Sequence, residues 1–177
     1  MNERDLPPIL RPGLRAALVG TRGRSGSPHQ LHYYDGPGNH FWTILHMSGL
    51  VPARLEPDDD ERLPEFGLGL TDLVYRGGAP DLDRLHRQLR RARPRVVAFV
   101  SKTAAASYAS VTKQRQPRGY GALSWRVAGR PAFVLPGSSG ANNAMSLPLR
   151  AAMWRDLADF IETVQLSPVP HGCRANR

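Results

Sequence analysis

The segment from His32 to Trp42 combines residue types that could hold a flat heterocycle. Tyr34 stands just before a Gly-Pro-Gly turn at 36–38, and Asn39 follows the turn. Because glycine has no Cβ, such a turn lets a ligand approach the backbone closely. An aromatic ring can stack on a base extruded from a nucleic acid, and a short amide can bond the base edge. We interpret the segment as part of a nucleobase pocket. The alternatives are a half-buried core Tyr and an Asn that only caps the next helix.

Asp72 is the carboxylate best placed to do chemistry. It lies near the end of the apolar stretch 68–74, where an unpaired charge would cost roughly several kcal/mol. A carboxylate at a strand end can orient or deprotonate a water and face a developing positive charge. Asp72 could instead cap a loop or a helix. We favour the functional interpretation, with Asn39 in support, and expect the acidic run 58–61 to be a surface loop or a helix start.

A glycine-rich loop, residues 20–28, follows the first predicted strand and could cradle an anion with its backbone N–H groups. It lacks the ending of a P-loop and the spacing of a dinucleotide fingerprint, so a nucleotide cofactor is weakly indicated and a plain tight turn is an equal alternative. The candidates for contact with a base are Thr21, Arg22 and Gly23. Arg24 and Ser25 are candidates for contact with a phosphate backbone.

Two further polar segments follow predicted strands. Lys102, after Ser101, could contact a phosphate. The small and polar loop near residue 140 could approach a DNA backbone or enter a groove. As a bare motif that loop is unspecific. Its candidate DNA contacts are Ser138, Ser139, Gly140 and Asn142.

The charge balance favours a polyanionic partner. The 177 residues contain 24 Lys plus Arg and 15 Asp plus Glu, a net charge of +9. The planar guanidinium matches phosphate oxygens, so DNA or RNA is favoured over a membrane surface. An arginine-rich composition inherited from a GC-rich genome would give the same excess. The six arginines between Arg84 and Arg95 are expected to form a solvated helix face.

Cysteine and hydrophobic patterning exclude several classes of protein. Cys173 is the single cysteine, which excludes a disulfide scaffold, a zinc finger or a cysteine-ligated iron–sulfur cluster within one chain. The His residues lack the paired spacing of a metalloprotease motif, so no metal is expected. The chain has no run near the roughly 20 apolar residues of a membrane span, and its N-terminus lacks the core of a signal peptide. A reducing cytoplasm is the expected compartment.

Short apolar strands alternate with helices along the chain. We predict strands at 15–20, 68–74, 95–100 and 132–135, and helices at 39–48, 80–92, 103–110 and 146–165. The apolar stripe of the last helix is expected at Leu149, Met153, Leu157, Phe160 and Val164. This alternation predicts an α/β fold with a parallel sheet covered on both faces, whose strand-end loops meet at one edge. We expect one domain over 1–177, with an irregular arm at 1–14 and a loose tail at 168–177.

The block from Gly36 to Trp42, continued by residues 47–50, resembles the mismatch-specific uracil/thymine DNA glycosylase family within the uracil-DNA glycosylase superfamily. Similar segments at 69–74, 96–102 and 135–140 extend the resemblance over roughly residues 15–165. It implies a three-layer α/β/α sandwich around a four-stranded parallel sheet. It also implies that no metal or organic cofactor is needed; the chain gives no oligomer signal, and a monomer is the default expectation. The implied activity is hydrolysis of the N-glycosidic bond of a flipped uracil, or a related damaged base, in DNA, leaving an abasic site.

Carried over by position, the resemblance implies that Tyr34 stacks on the base and that residues 138–142 enter the DNA. Asp72 falls where the family often has an Asn that contacts the base. The family's first motif reads Gly-Ile-Asn-Pro-Gly, and Arg22 replaces its water-positioning Asn. Arg22 or its loop could hold the departing base anion or a phosphate. Our hypothesis is that catalysis has moved to Asp72, with Asn39 in support. The alternatives are a non-catalytic reader of uracil or abasic DNA and, more distantly, a nucleotide-dependent enzyme.

Overall fold

The structure is a computed structural model that describes residues 6–22, 31–74, 78–141 and 144–166. Five strands form one sheet in the order β2-β1-β3-β5-β4. The strands are β1 (Ala16–Gly20), β2 (Leu68–Asp72), β3 (Val96–Val100), β4 (Gly121–Val127) and β5 (Arg130–Leu135). β1, β2, β3 and β5 are parallel, as predicted.

The fifth strand, β4, was not expected from the sequence. It pairs antiparallel with β5 through a two-residue turn, in which Ala128 and Gly129 both have positive φ. Tight hairpins need that conformation but usually signal it with Asn-Gly or Asp-Gly. β4 is also largely exposed at alternate positions, so it carries no apolar run that would have marked a buried strand.

Helices cover both faces of the sheet, which confirms the predicted three layers. α1 (Phe41–Met47), a 3-10 helix (Pro57–Phe66) and α4 (Leu147–Leu166) pack on one face. α2 (Leu82–Ala92) and α3 (Lys102–Thr112) pack on the other. β1, β2 and β3 are buried along their whole length, as expected for parallel strands with helices on both sides. No helix in the described part of the chain has the length and apolar character to cross a bilayer.

The acidic run 58–61 begins the 3-10 helix but is only partly a surface feature. Glu56 and Asp59 form a capping box at its start, as a helix start would have. Asp60, however, is buried and accepts the backbone N–H of Tyr33 at 3.0 Å. A pattern of four consecutive acids gives no indication of which one turns inward, so this role was not predictable.

The predicted stripe of α4 is confirmed at Leu157, and Phe160 and Val164 pack against the core, but the prediction is wrong at Leu149. Leu149 is 48% exposed, whereas the buried stripe consists of Ala151, Trp154, Leu157 and Ile161. Trp154 is the largest fully buried side chain of the described residues, and its indole N–H donates to Pro136 O at 3.0 Å. Burial of this large ring sets the orientation of the helix, because an aromatic side chain removes more apolar area from water than Met153 would.

The described part of the N-terminal arm, residues 6–14, is irregular but attached to the sheet. Ile9 and Leu70 exchange two backbone hydrogen bonds of 2.9 Å, which places the arm along the outer edge of β2. The N–H of Gly13 also donates to Ala92 O at 2.8 Å. Residues 1–5 and the predicted loose tail lie outside the described residues.

Candidate active site

Asp72 lies at the carboxyl end of β2 and is 7% exposed. Its backbone oxygen accepts a 2.6 Å hydrogen bond from Nη2 of Arg84. Sequence patterning placed Arg84 on a solvated face, but it is half-buried and lies behind the strand end. Its guanidinium therefore supports the backbone that carries the candidate catalytic carboxylate.

Gly20 is the partner of Asp72 in the register between β1 and β2. A Cβ at position 20 would overlap Oδ1 of Asp72 and would lie 3.1 Å from the Tyr34 hydroxyl oxygen. The carboxylate and the phenol therefore converge on one backbone atom, the Cα of Gly20. Glycine is required here because any side chain would displace at least one of the two groups.

Tyr34 is held in an unusual conformation. Its φ is +57°, in the left-handed region that non-glycine residues rarely adopt. Its ring stacks on Phe41, with ring centroids 3.9 Å apart and an angle of 4° between the planes. Burial and, second, the nearby Asp72 carboxylate raise the pKa of Tyr34 well above its usual value, so the hydroxyl keeps its proton. Since Phe41 covers one face of the ring, a base can stack only on the other face.

The backbone of the preceding residue, Tyr33, is held by two hydrogen bonds, which helps to fix the conformation of Tyr34. Its carbonyl accepts the indole N–H of Trp42 at 3.1 Å, and its N–H is bound by Asp60. Burial, followed by the charge of Asp72, also raises the pKa of Tyr33. Both phenols are therefore neutral, and Asp72 is the anion around which this part of the site is arranged.

Asn39 has a structural role in the turn before α1, but it is not the N-cap of that helix, which is His40 and has no side-chain cap. Its side-chain oxygen accepts the backbone N–H of Phe41 at 2.9 Å, and its own N–H donates to Gly36 O at 3.0 Å. It thus closes the turn at 36–39 and starts α1. This geometry is compatible with a ligand contact, because the amide NH₂ is a separate donor group.

The loop that follows β5, residues 136–141, contains Ser138 and Ser139, and we call it the serine-bearing loop. It packs directly on this turn. The carbonyl of Ser138 accepts the N–H of His40 at 2.9 Å, and a Cβ on Gly140 would overlap the carbonyl oxygen of Gly38. Ser138 is 4% exposed, whereas Ser139 is exposed. The loop that follows β5 and the turn before α1 therefore form one connected wall of the site.

Arg150 holds the serine-bearing loop from the side of α4. It is 4% exposed, and Nη1 donates to Ser139 O at 3.1 Å and to Gly137 O at 3.3 Å. Sequence reasoning missed this residue. The available signal was its spacing from Trp154 and Leu157, which puts an arginine on the buried face of a helix.

Gly140→Ala tests the contact between loop and turn. The added methyl group meets backbone that cannot rotate away, so we expect a loss of about 1–3 kcal/mol in the free energy of unfolding. We also expect weaker DNA binding. Gly137→Ala is the matched control in the same loop, since its Cβ would meet only Ser101 Cβ at an ordinary 3.6 Å. Denaturant unfolding and fluorescence anisotropy measure the two effects; equal behaviour of both variants would contradict the assignment.

Of the remaining predicted residues, Thr21, Arg22 and Lys102 lie at the same edge of the sheet. Thr21 and Arg22 are half-buried after β1, and Thr21 O accepts the N–H of Val74 at 2.8 Å. Lys102 is exposed after β3. Gly23, Arg24, Ser25 and Asn142 lie outside the described residues. Among the residues that the structure describes, no group of three or more His, Cys, Asp or Glu could hold a metal ion.

Comparisons with known proteins agree with this architecture. The sequence model of the family described as "Uracil DNA glycosylase superfamily" matches residues 7–158. The solution NMR structure of a "putative Uracil DNA glycosylase" from Methanosarcina acetivorans has a TM-score of 0.59 to this chain at 20% identity. The likeness covers 89% of this chain and 99% of that one, and shows the shared fold. Because the family match spans most of the sequence, this chain belongs to the uracil DNA glycosylase superfamily.

Proposed function

We propose that this chain is a monofunctional DNA glycosylase that hydrolyses the N-glycosidic bond of uracil, or of a closely related base, flipped out of DNA. Membership of the superfamily supports the reaction class. The observation that carries the proposal is the convergence of the Asp72 carboxylate and the Tyr34 hydroxyl on Gly20, at the carboxyl edge of a parallel sheet. Ligands of open α/β sheets bind at that edge.

The reaction needs charge stabilisation more than it needs a strong nucleophile. As the bond between C1′ and the base nitrogen breaks, the sugar becomes positive and the base leaves as an anion. Water then adds to C1′ and loses a proton. Asp72 can face the positive sugar and accept that proton, directly or through orientation of the water. Its burial beside neutral phenols strengthens this electrostatic effect, because the local dielectric constant is low.

Three other residues are assigned to the departing base. The face of Tyr34 opposite Phe41 provides a stacking surface for the base. The amide NH₂ of Asn39 can donate to a base carbonyl while its oxygen keeps its hydrogen bond from the Phe41 N–H. Arg22 can hold the base anion or a flanking phosphate from the end of β1, where relatives have a neutral Asn.

The test is a glycosylase panel. Duplex oligonucleotides carrying uracil, a G·T mispair or hypoxanthine, and single strands carrying uracil or hypoxanthine, are incubated with the protein. They are then treated with alkali. We expect strand scission at uracil after alkali and intact strands without it, because hydrolysis leaves an abasic site and no nick. The absence of alkali-dependent scission on every substrate would overturn the proposal.

One observation favours a second candidate, a non-catalytic reader of uracil or abasic DNA. Arg22 replaces the residue that positions water in the resembling family, and the Asn39 oxygen is engaged in the turn. A reader would shift uracil-containing or abasic DNA in a gel at the protein concentrations used in the panel and would release no base. The same incubations therefore distinguish the two candidates.

A further inference from the structure

The basic residues of this chain are segregated along the sequence. Residues 84–155 contain fourteen Lys and Arg and no Asp or Glu, although the whole chain has 15 acids. This stretch forms most of α2, all of β3, α3, β4 and β5, and the start of α4. Six of the fourteen lie at 84–95, on α2 and the segment after it, and Arg84 there contacts the end of β2. The other eight, from Lys102 to Arg155, lie on α3, β4, β5, α4 and the segments between them.

One exposed part of this region lies at the same edge of the sheet as the candidate active site. We call residues 113–120 the basic loop; Lys113, Arg115 and Arg118 in it are exposed. The loop leads into Gly121, which pairs with Val134 near the carboxyl end of β5. Because β4 is antiparallel to β5, its first residue stands beside the carboxyl ends of the parallel strands.

The distance from Asp72 to the basic loop follows from the strand order. β2 and β4 are four strand spacings apart, and each spacing is about 4.8 Å, so the loop is about 19 Å from the candidate catalytic carboxylate. Duplex DNA rises about 3.4 Å per base pair. The loop would therefore meet DNA about five to six base pairs from the target nucleotide.

The basic loop is held firmly by its neighbours. Trp125 donates its indole N–H to Arg115 O at 3.0 Å, and Gln116 donates to the hydroxyl of Ser110 at 2.9 Å. The ammonium group of Lys102 lies 4.8 Å from the centre of the Tyr120 ring, which joins the loop to the start of α3. A loop fixed in this way loses little conformational entropy when it binds a ligand.

Two grooves meet at Pro117 in the middle of the loop. One, of about 290 Å³, is lined by residues 115–125, and the other, of about 430 Å³, by Lys102, α3 and Pro117. Within the described part of the chain, no carboxylate lines either groove, and Lys102, Arg115 and Arg118 border them. Extended grooves with cations and no acids suit a sugar-phosphate backbone.

We infer that the basic loop is a second DNA-contacting site, which binds backbone phosphates on one side of the target nucleotide. The inference rests on the proposed function for the position of the target, but the contact itself needs no catalysis. Arg115 and Arg118 bind the phosphates, and Lys102 lies between this site and the active site.

The test compares two double variants that remove the same charge. Arg115→Gln/Arg118→Gln acts on the basic loop. Arg90→Gln/Arg91→Gln, in the last turn of α2, acts at the opposite edge of the sheet and is the control.

Anisotropy on an undamaged 24-base-pair duplex gives the dissociation constant over a range of salt concentrations. We expect about 10-fold weaker binding near 0.1 M salt for the loop variant, and a slope of log K against log salt reduced by about 1.8, since each phosphate contact contributes about 0.9. The control is expected to change by less than about 2-fold.

A second measurement locates the contact relative to the lesion. Abasic-analogue duplexes carry three or ten base pairs on one side of the lesion and a long flank on the other. The defect of the loop variant should disappear when the flank on its own side is short and persist in the other orientation. Equal defects on all duplexes, or an equal defect in the control variant, would overturn the inference. Because these duplexes need no base release, failure of the glycosylase proposal would be seen separately in the uracil panel.

Discussion

Asp72→Ala is expected to lower single-turnover release of uracil by about 100-fold or more, which is the usual contribution of a general base. The carboxylate is the buried anion that faces Tyr34 across Gly20, whereas Asp60, the buried acid of the 3-10 helix, is bound to the backbone N–H of Tyr33. Single-turnover kinetics with excess enzyme isolate the chemical step from DNA binding. Near-normal release would reject Asp72 as the catalytic group.

Two further variants separate charge from shape. Asp72→Asn keeps the size of the side chain, so a similar loss shows that the negative charge is needed, whereas retained activity shows that position 72 only bonds the base and contradicts our mechanism. Asp83→Ala removes an exposed carboxylate from the first turn of α2 and should leave release unchanged. Thermal unfolding of all three variants checks that the fold is kept.

Gly20→Ala should damage both stability and activity. Its methyl group would overlap Oδ1 of Asp72 and crowd the Tyr34 hydroxyl, so one of them must move. We expect a loss of about 1–3 kcal/mol in the free energy of unfolding, typical of overpacking, and at least a 10-fold loss in base release. Gly78→Ala is the control, since no atom of the residues that the structure describes lies within 4 Å of a Cβ at that position.

A double-mutant cycle makes this prediction specific. In an Asp72→Ala background the overlapping oxygen is absent, so the stability cost of Gly20→Ala should shrink markedly. Denaturant unfolding of the four proteins gives the coupling. Additive costs would mean that the methyl group is disfavoured for another reason, and would contradict the placement of the carboxylate against Gly20.

Strand and helix periodicity was enough to predict the layers of this fold. The runs at 96–100 and 132–135 are apolar throughout, which is typical of strands buried on both sides. β4 was missed although residues 123–127 alternate between apolar and polar side chains, the pattern of a half-buried strand, because the prediction followed continuous apolar runs. The stripe of α4 was shifted because apolar residues occur on several of its faces, and only the packing of Trp154 selects one of them.

The candidate site could be predicted in its residues but not in its contacts. Three of its residues could be singled out from the sequence because they stand next to turns or strand ends: Tyr34, Asn39 and Asp72. The stacking of Tyr34 on Phe41 and the support of residue 72 by Arg84 depend on pairings across the fold. Neither pairing leaves a local pattern in the sequence, because Phe41 and Arg84 are also ordinary residues of α1 and α2.

The backbone exchange between Ile9 and Leu70 has a consequence for how copies of the chain meet. A lateral strand with unused amide groups is a template on which a second molecule can add its own strand. Leu70 has both of its main-chain groups committed to Ile9 on the outward side. The strand that ends in the candidate catalytic acid is thereby closed to intermolecular strand addition at its midpoint, because segment 6–14 already occupies that edge.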